Sequence, residues 1–208
     1  MNMKKIILSL LVAALSISSI MAQQDVKFNA FGMFFKNYGF GYEYVINDEM
    51  SAGVFIDYAN GSLYLDMLND VGDYDYDYNR FSFSPEFRFY TNPDFGADKR
   101  FFAVYARYQN VNYDNLEFHD NNTNKTIKYG MNNSLLGIGL STGQKWVTNS
   151  GFYFETYWGF GRFFSSNITF DNSTVEEYYN VNSTAAYVYA SSWDFRFQFS
   201  VGYRIGGY

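Results

Sequence analysis

The most regular alternation of apolar and polar side chains in the sequence runs through residues 80–90, RFSFSPEFRFY. One set of alternate positions holds Phe81, Phe83, Pro85, Phe87 and Phe89. The positions between them hold Arg80, Ser82, Ser84, Glu86, Arg88 and Tyr90. A period of two is typical of a β-strand with one apolar face and one polar face.

Other stretches alternate in the same way, and most are close to the ~9 to 11 residues that a tilted strand needs to cross a bilayer. They are residues 26–36, 38–45, 51–58, 101–109, 136–143, 154–161 and 193–205, of which the first alternates least regularly. Together with residues 80–90 they predict an all-β chain of eight antiparallel strands.

The connections between these strands alternate in length. Those at 46–50, 91–99 and 146–151 are short, and those at 59–79, 112–129 and 165–189 are long. Transmembrane barrels have short turns at the periplasmic end and long loops at the external end. The order fits a chain whose N-terminus is periplasmic, although the first external connection, near Lys36 and Asn37, is short.

The volume of the apolar side chains indicates which face points outward. An eight-stranded barrel has an interior only just wide enough for side chains to fill. The apolar faces are rich in Phe and Tyr and do not fit inside, whereas the opposite faces are rich in Gly and Ser with a few charges. We therefore expect the apolar faces to point into lipid.

Composition narrows the class of protein. The sequence is 23% aromatic, contains no cysteine and has a formal net charge of -6. The missing cysteine excludes a disulfide framework, and the acidic balance argues against nucleic acid as a partner. Residues 1–22 are predicted to be a secretory signal peptide, with Lys4 and Lys5 before an apolar segment, so that 23–208 form the barrel domain.

Three segments carry a resemblance to a known family: SPEFRFY at 84–90, GIGLSTGQKW at 137–146 and FQFSVGYRIGGY at 197–208. The chain resembles the small eight-stranded outer-membrane barrels of the OmpA/OmpX type, and more narrowly one family of that clan. The resemblance covers nearly the whole chain and implies an eight-stranded antiparallel up-and-down transmembrane β-barrel in a bacterial outer membrane. It also implies insertion by the barrel-assembly machinery, and lipids, including lipopolysaccharide, as neighbours.

Charged residues at inward positions form the first candidate site. Two interpretations are open: a polar conduit for a small solute, or a plug in which the charges satisfy one another, because an unpaired buried charge is costly. The predicted interior network comprises Glu43, Asp57, Glu86, Arg88, Arg107, Glu155, Arg196 and Arg204.

An acidic loop forms the second candidate site. It contains Asp66, Asp70, Asp73, Asp75 and Asp77. The spacing of two residues between Asp73, Asp75 and Asp77 resembles that of a cation site with oxygen ligands. The glycine and the distal Glu of an EF-hand loop are absent, however, which favours a solvated loop.

Three single residues raise further hypotheses. His119, the only histidine, is expected in a loop without a serine partner, which argues against hydrolase chemistry of the Ser-His type. Arg162 has the lipid-facing parity and is a candidate partner for a lipopolysaccharide phosphate, unless the strand has already ended there. Pro85 has no N–H, which predicts a bulge or a missing ladder bond at Ser84 and Pro85.

The sequence therefore predicts a non-enzymatic outer-membrane barrel without a cofactor. Its role is either structural or that of a surface-interaction protein whose long external loops contact an extracellular ligand that the sequence does not identify. The alternative is a narrow porin-like channel for small solutes.

Overall fold

The computed structural model of the chain describes residues 23–61, 77–120, 124–181 and 193–206. Its strands are β1 Gln24–Asn29, β2 Asn37–Asn47, β3 Met50–Asn60, β4 Asp77–Thr91, β5 Lys99–Asp120, β6 Lys125–Val147, β7 Phe152–Phe170 and β8 Trp193–Ile205. Two helices, α1 Ala30–Met33 and α2 Ser173–Val181, follow β1 and β7. The predicted signal peptide, residues 1–22, lies outside the described residues.

Each strand pairs antiparallel with the next, and β1 pairs with β8 to close a barrel. The closing ladder joins Val26 to Tyr203 and Phe28 to Val201. The predicted eight-stranded antiparallel up-and-down barrel is therefore confirmed. We call the end with the β2–β3, β4–β5 and β6–β7 turns the short-turn end, and the opposite end the long-loop end.

The side chains sort as the alternation predicts. Outward side chains are large and apolar: Phe40 is 68% exposed, Leu140 66% and Phe195 72%. Inward positions include Arg88 and Glu155, both 0% exposed. A closed barrel with a charged interior and an apolar exterior is the arrangement that a transmembrane barrel requires, because lipid surrounds its outer face.

The first predicted strand, residues 26–36, is wrong at its C-terminal end. The strand stops at Asn29, whose side chain accepts a hydrogen bond of 3.0 Å from the N–H of Gly32 and begins α1. Asn is a favoured helix N-cap, and this local bond competes with continuation of the strand. The ring of Phe31 in α1 packs against that of Phe197 in β8 at 5.5 Å. No helix among the described residues has the length and hydrophobicity of a membrane span.

Two predicted long connections are also wrong in extent. Most of 112–129 belongs to β5 and β6, which pair as far as Asp120 and Lys125, well beyond the neighbouring strands. The third, 165–189, begins inside β7 and includes α2. The apolar residues of these segments pack against each other outside the barrel, which explains why strands persist in Asn-rich sequence.

Candidate functional site

The structure places all the residues of the predicted interior network inside the barrel. Each is buried: Glu43, Asp57, Glu86, Arg88, Arg107, Glu155, Arg196 and Arg204. They form two groups along the barrel axis. Each group also contains charged residues that the prediction did not include.

The lower network, toward the short-turn end, is centred on Arg88 of β4. Its guanidinium lies 2.6 Å from a carboxylate oxygen of Glu155, 2.6 Å from one of Glu86 and 3.1 Å from one of Glu43. The same guanidinium lies 4.2 Å from the ring centroid of Phe101. Carboxylates from β2, β4 and β7 are thus connected by a single side chain, whose planar fork suits several carboxylates at once.

Two lysines complete the charge balance around Arg88. Lys27 of β1 donates to Glu155 at 2.6 Å, and Lys145 of β6 donates to Glu43 at 3.0 Å and to Asp25. The hydroxyl of Tyr90 donates to Glu43 at 2.6 Å. The lower network therefore comprises four carboxylates and four cations: Asp25, Glu43, Glu86, Glu155, Lys27, Arg88, Lys145 and Arg204.

Arg204 of β8 fastens the β4–β5 turn across the short-turn end. It donates to Asp25 at 2.7 and 2.8 Å, and to the backbone carbonyls of Phe95 at 2.5 Å, Gly96, and Ala97 at 3.1 Å. Because β8 and β4 lie on opposite sides of the ring, the turn reaches across the mouth. Ala97 is 0% exposed, so the turn is packed into the barrel end.

The upper network, toward the long-loop end, comprises Asp57, Arg80, Arg107, Asp194 and Arg196. Arg107 of β5 lies 2.6 Å from Asp194 of β8 and 3.5 Å from Asp57 of β3, while Arg80 lies 3.2 Å from Asp57. The hydroxyl of Tyr105 donates to Asp194 at 2.9 Å. Here three cations accompany two carboxylates.

Arg196 is the cation of the upper network that forms no ion pair with a described residue. It donates to the hydroxyl of Tyr157 at 3.0 Å, and its guanidinium lies 4.9 Å from the ring centroids of both Tyr105 and Tyr157. Its Nε and Nη2 atoms have no hydrogen-bond partner among the described residues. Aromatic rings rather than carboxylates hold this charge.

The predicted interior network did not include five charged residues of the two networks, which are Asp25, Lys27, Arg80, Lys145 and Asp194. The signal was present, because Asp25 and Lys27 alternate with the outward Val26, and Lys145 continues the inward parity of β6. They were missed because β1 is short and Lys145 lies beyond the predicted end of its strand. Arg80 and Asp194 have the inward parity of β4 and β8, but the predicted network does not include them.

Pro85 interrupts the ladder between β4 and β5. Phe83 pairs with Tyr108 and Glu86 with Tyr105, but Ser84 and Pro85 have no partner in this ladder, and the register is unchanged across the gap. The ladder to β3 continues through both residues. The predicted missing pairing is confirmed, without a bulge. The hydroxyl of Ser84 does not replace the missing ladder hydrogen bond, since its Oγ has no hydrogen-bond partner among the described residues.

The acidic loop lies mostly outside the described residues. Asp66, Asp70, Asp73 and Asp75 are not described, and Asp77 is the first residue of β4, where it accepts a hydrogen bond of 3.2 Å from Asn115. In the described ranges, no group of three or more His, Cys, Asp or Glu side chains is arranged to hold a metal ion.

His119 lies in β5, opposite Thr126 of β6, and the expectation that it lies in a loop is wrong. The β5–β6 hairpin is longer than the sequence suggests because apolar side chains stabilise it. The side chain of His119 is exposed.

An apolar cluster lies beyond the closed ring of strands, at the long-loop end. Tyr129, Met131 and Val175 are buried together, and Phe118 contacts Tyr178 of α2 at a ring distance of 4.8 Å. We call this unit the hairpin platform; it consists of residues 116–120 and 124–131 of the hairpin, 168–170 of β7, and α2.

Hydrogen bonds at the base of α2 fix it to the hairpin. The N–H of Gly130 donates to the Asp171 carboxylate at 2.7 Å, and the N–H of Asp171 donates to the carbonyl of Gly130 at 3.2 Å. Asn172 caps the helix by accepting from the N–H of Thr174 at 3.0 Å. The platform is therefore a packed unit.

Comparison with solved structures shows the fold. A major outer membrane protein from Thermus thermophilus matches with 13% identity and a TM-score of 0.52, over 89% of this chain and 100% of that one. Ail, the attachment invasion locus protein of Yersinia pestis, matches with 8% identity and a TM-score of 0.42, over 89% and 100% of the two chains. CarO of Acinetobacter baumannii matches with 13% identity and a TM-score of 0.42, over 90% and 98%.

Among curated proteins, none matches the sequence. The family model described as "Protein of unknown function (DUF3575)" matches residues 6–195. Since the match covers most of the sequence, the chain belongs to the DUF3575 family.

Proposed function

We propose that the protein is a non-enzymatic barrel of a bacterial outer membrane and that it contacts extracellular molecules through the hairpin platform. The observation that carries this proposal is the packed apolar cluster outside the barrel. A chain that only needed to span the membrane does not require strands that continue beyond their neighbours, with a helix bound to them.

The platform has the chemistry of a binding surface. It presents Tyr178, which is 47% exposed and packs against Phe118, and its strand ends carry the exposed polar side chains of Glu117, His119 and Lys128. Tyr provides large and rigid contact area with few rotatable bonds, as in antibody paratopes. The β5–β6 pairing extends beyond the closed ring of strands, which supports a surface that projects from the membrane.

The interior supports a closed barrel rather than a channel. Arg88 and Glu155 meet at 2.6 Å near the axis, and the β4–β5 turn lies across the short-turn end under Arg204. In planar bilayers we expect the protein to show no stable conductance steps, whereas a reference porin in the same bilayers does. Stable, ion-selective openings would support the channel instead.

The platform role is tested by a double variant, Phe118→Ser with Tyr178→Ser, expressed at the cell surface. Cells carrying the wild-type protein are applied to arrays of immobilised glycans and extracellular-matrix proteins, and bound cells are counted. We expect wild-type cells to adhere above the vector control to at least one array component and the double variant to lose most of that adhesion.

A matched control changes an outward residue at the opposite end of the barrel. Arg100→Gln leaves the platform intact and is expected to adhere like the wild type. Heat-modifiable gel migration shows that each variant is folded in the outer-membrane fraction. Equal adhesion by the wild type and the double variant, or no adhesion above the vector control, argues for a purely structural barrel.

A further inference from the structure

An apolar groove of about 780 Å³ lies on the lipid-facing surface, toward the long-loop end. Pro85 and Ala106 form its floor, where β4 and β5 carry small side chains between larger ones. Ile138, Leu140 and Phe160 line it farther along the ring, and Arg162 and Trp193 lie at its other end.

The groove follows one row of paired residues around the barrel. Ala106 pairs with Ile138, Ile138 with Arg162, and Arg162 with Trp193, while Pro85 lies beside this row on β4. From β4 to β8 the row crosses four interstrand spacings, or about 19 Å at ~4.8 Å each. One leaflet contributes about half of the ~30 Å hydrocarbon core, so an oblique groove of this length suits an acyl chain.

The two ends of the groove lie at different heights. Trp193 is the first residue of β8 and therefore lies at the long-loop end, whereas Pro85 is in the middle of β4, with Phe81 above it and Phe89 below. The groove thus descends from the rim into the hydrocarbon region, as a lipid tail does from its headgroup.

Arg162 gives the upper end of the groove a positive charge. It is the only charged residue at the outward positions of β7 and β8, and it lies between the exposed rings of Phe160 and Phe164. Its guanidinium lies 5.5 Å from the ring centroid of Trp193, and no ion pair joins it to a described residue. Immediately beyond it, the β6–β7 register shifts between Leu136 and Gly137, and such bulges redirect side chains.

We propose that this groove binds lipid A, with one acyl chain along Pro85, Ala106 and Ile138 and a phosphate on Arg162. Lipid A fits because it fills the external leaflet and carries its phosphates directly above its acyl chains. Arginine binds phosphate with two parallel hydrogen bonds, and these are stronger than neutral ones. The inference rests on the orientation in the proposed function, in which the long-loop end is external.

Native mass spectrometry of the mature protein in detergent tests the proposal. The protein is titrated with diphosphorylated lipid A, with dephosphorylated lipid A and with phosphatidylglycerol. We expect one tightly bound diphosphorylated lipid A per barrel, and affinity about tenfold lower for the dephosphorylated form, a difference of about 1.4 kcal/mol.

Two variants each remove one part of the groove. Arg162→Gln removes the charge, and Ala106→Phe fills the floor with a larger apolar side chain. Each is expected to weaken binding of diphosphorylated lipid A about tenfold, but only Arg162→Gln abolishes the preference for the phosphorylated form. The matched controls are Arg100→Gln and Val26→Phe, which remove a charge and enlarge an apolar side chain at outward positions that do not line the groove, and both should bind like the wild type.

The outcomes separate the proposal from its alternatives. Equal binding by Arg162→Gln and Arg100→Gln overturns it, as does phosphatidylglycerol binding as tightly as lipid A. If Ala106→Phe does not fold, as judged by gel migration, Arg162→Gln still decides. The measurement is independent of adhesion by the platform, so a failure of the lipid site and a failure of the proposed function are distinguishable.

Discussion

The two charged networks inside the barrel differ in how completely their atoms are paired. In the lower network, four carboxylates face four cations, and none of the charged atoms of these described residues is buried without a hydrogen bond. In the upper network, Asp57 Oδ2, Arg80 Nε, Arg107 Nε and two nitrogens of Arg196 have no hydrogen-bond partner within the described part of the chain.

This difference indicates that the two halves of the interior contribute differently to stability. In a fully paired network, the removal of any member destabilises the barrel strongly, because it leaves an opposite charge buried and unpaired. A network that already contains unpaired atoms loses less when one of them is removed. We therefore expect the lower network to hold the barrel closed and the upper network to tolerate substitution.

The largest effect is expected from Arg88→Met. It leaves Glu43, Glu86 and Glu155 without their shared cation, and removing one partner of a buried pair costs about 3 to 5 kcal/mol. The free energy of unfolding in lipid vesicles, followed by tryptophan fluorescence in urea, measures the change.

Arg88→Lys is the matched control for this prediction. It keeps the positive charge but loses the planar fork, so it should destabilise the barrel less than Arg88→Met. A loss below about 1 kcal/mol for Arg88→Met, the range of an ordinary hydrogen bond, would contradict the closing role of the lower network.

A smaller effect is expected from Arg196→Met in the upper network. The variant loses one hydrogen bond to Tyr157 and the contacts with two rings, but it also removes two nitrogens that lack partners among the described residues. We expect a destabilisation of about 1 kcal/mol or less in the same assay. A loss as large as that of Arg88→Met would remove the distinction between the two networks.

The smallest effect is expected from Pro85→Val. The new N–H restores a donor where the β4–β5 ladder is interrupted, for a gain of about 0.5 to 1.5 kcal/mol. Losing the proline costs about 0.4 to 1 kcal/mol by increasing the entropy of the unfolded chain. The two terms nearly cancel, so stability changes little, while hydrogen exchange at the N–H of Ala106, which lies opposite residue 85 on β5, should slow as the ladder closes. Exchange that is unchanged at Ala106 would show that the gap has another cause.

The sequence predicts the barrel well because one physical rule applies along nearly the whole chain. Side chains in a strand alternate between lipid and interior, and residues 80–90 follow this rule without exception. The missing ladder pairing at Pro85 was also predictable, since proline lacks an N–H in every context.

The hairpin platform was not predictable by the same rule. In β5, the pairing with β6 shifts between Tyr113 and Leu116, which moves later side chains to the other parity. Beyond the barrel, the apolar face is also no longer the lipid face, because Tyr129 and Met131 are buried under α2 rather than exposed. Because the alternation changes phase within one strand and its apolar face packs against a helix instead of lipid, the sequence of this segment looks like that of a polar loop.

The bridge between Asp25 and Arg204 has a consequence for the order of assembly. The two residues are 179 positions apart, in the first strand and the last, and their contact forms only when β8 pairs with β1. Until then, Lys145 is the only cation among the described residues that pairs with the carboxylate of Asp25, and the β4–β5 turn lacks the donor that fastens it. Contacts between residues so distant in sequence form slowly, because the entropy of closing the loop must be lost first. Closure of the seam, the pairing of Asp25 with Arg204 and sealing of the short-turn end are therefore a single late event in folding.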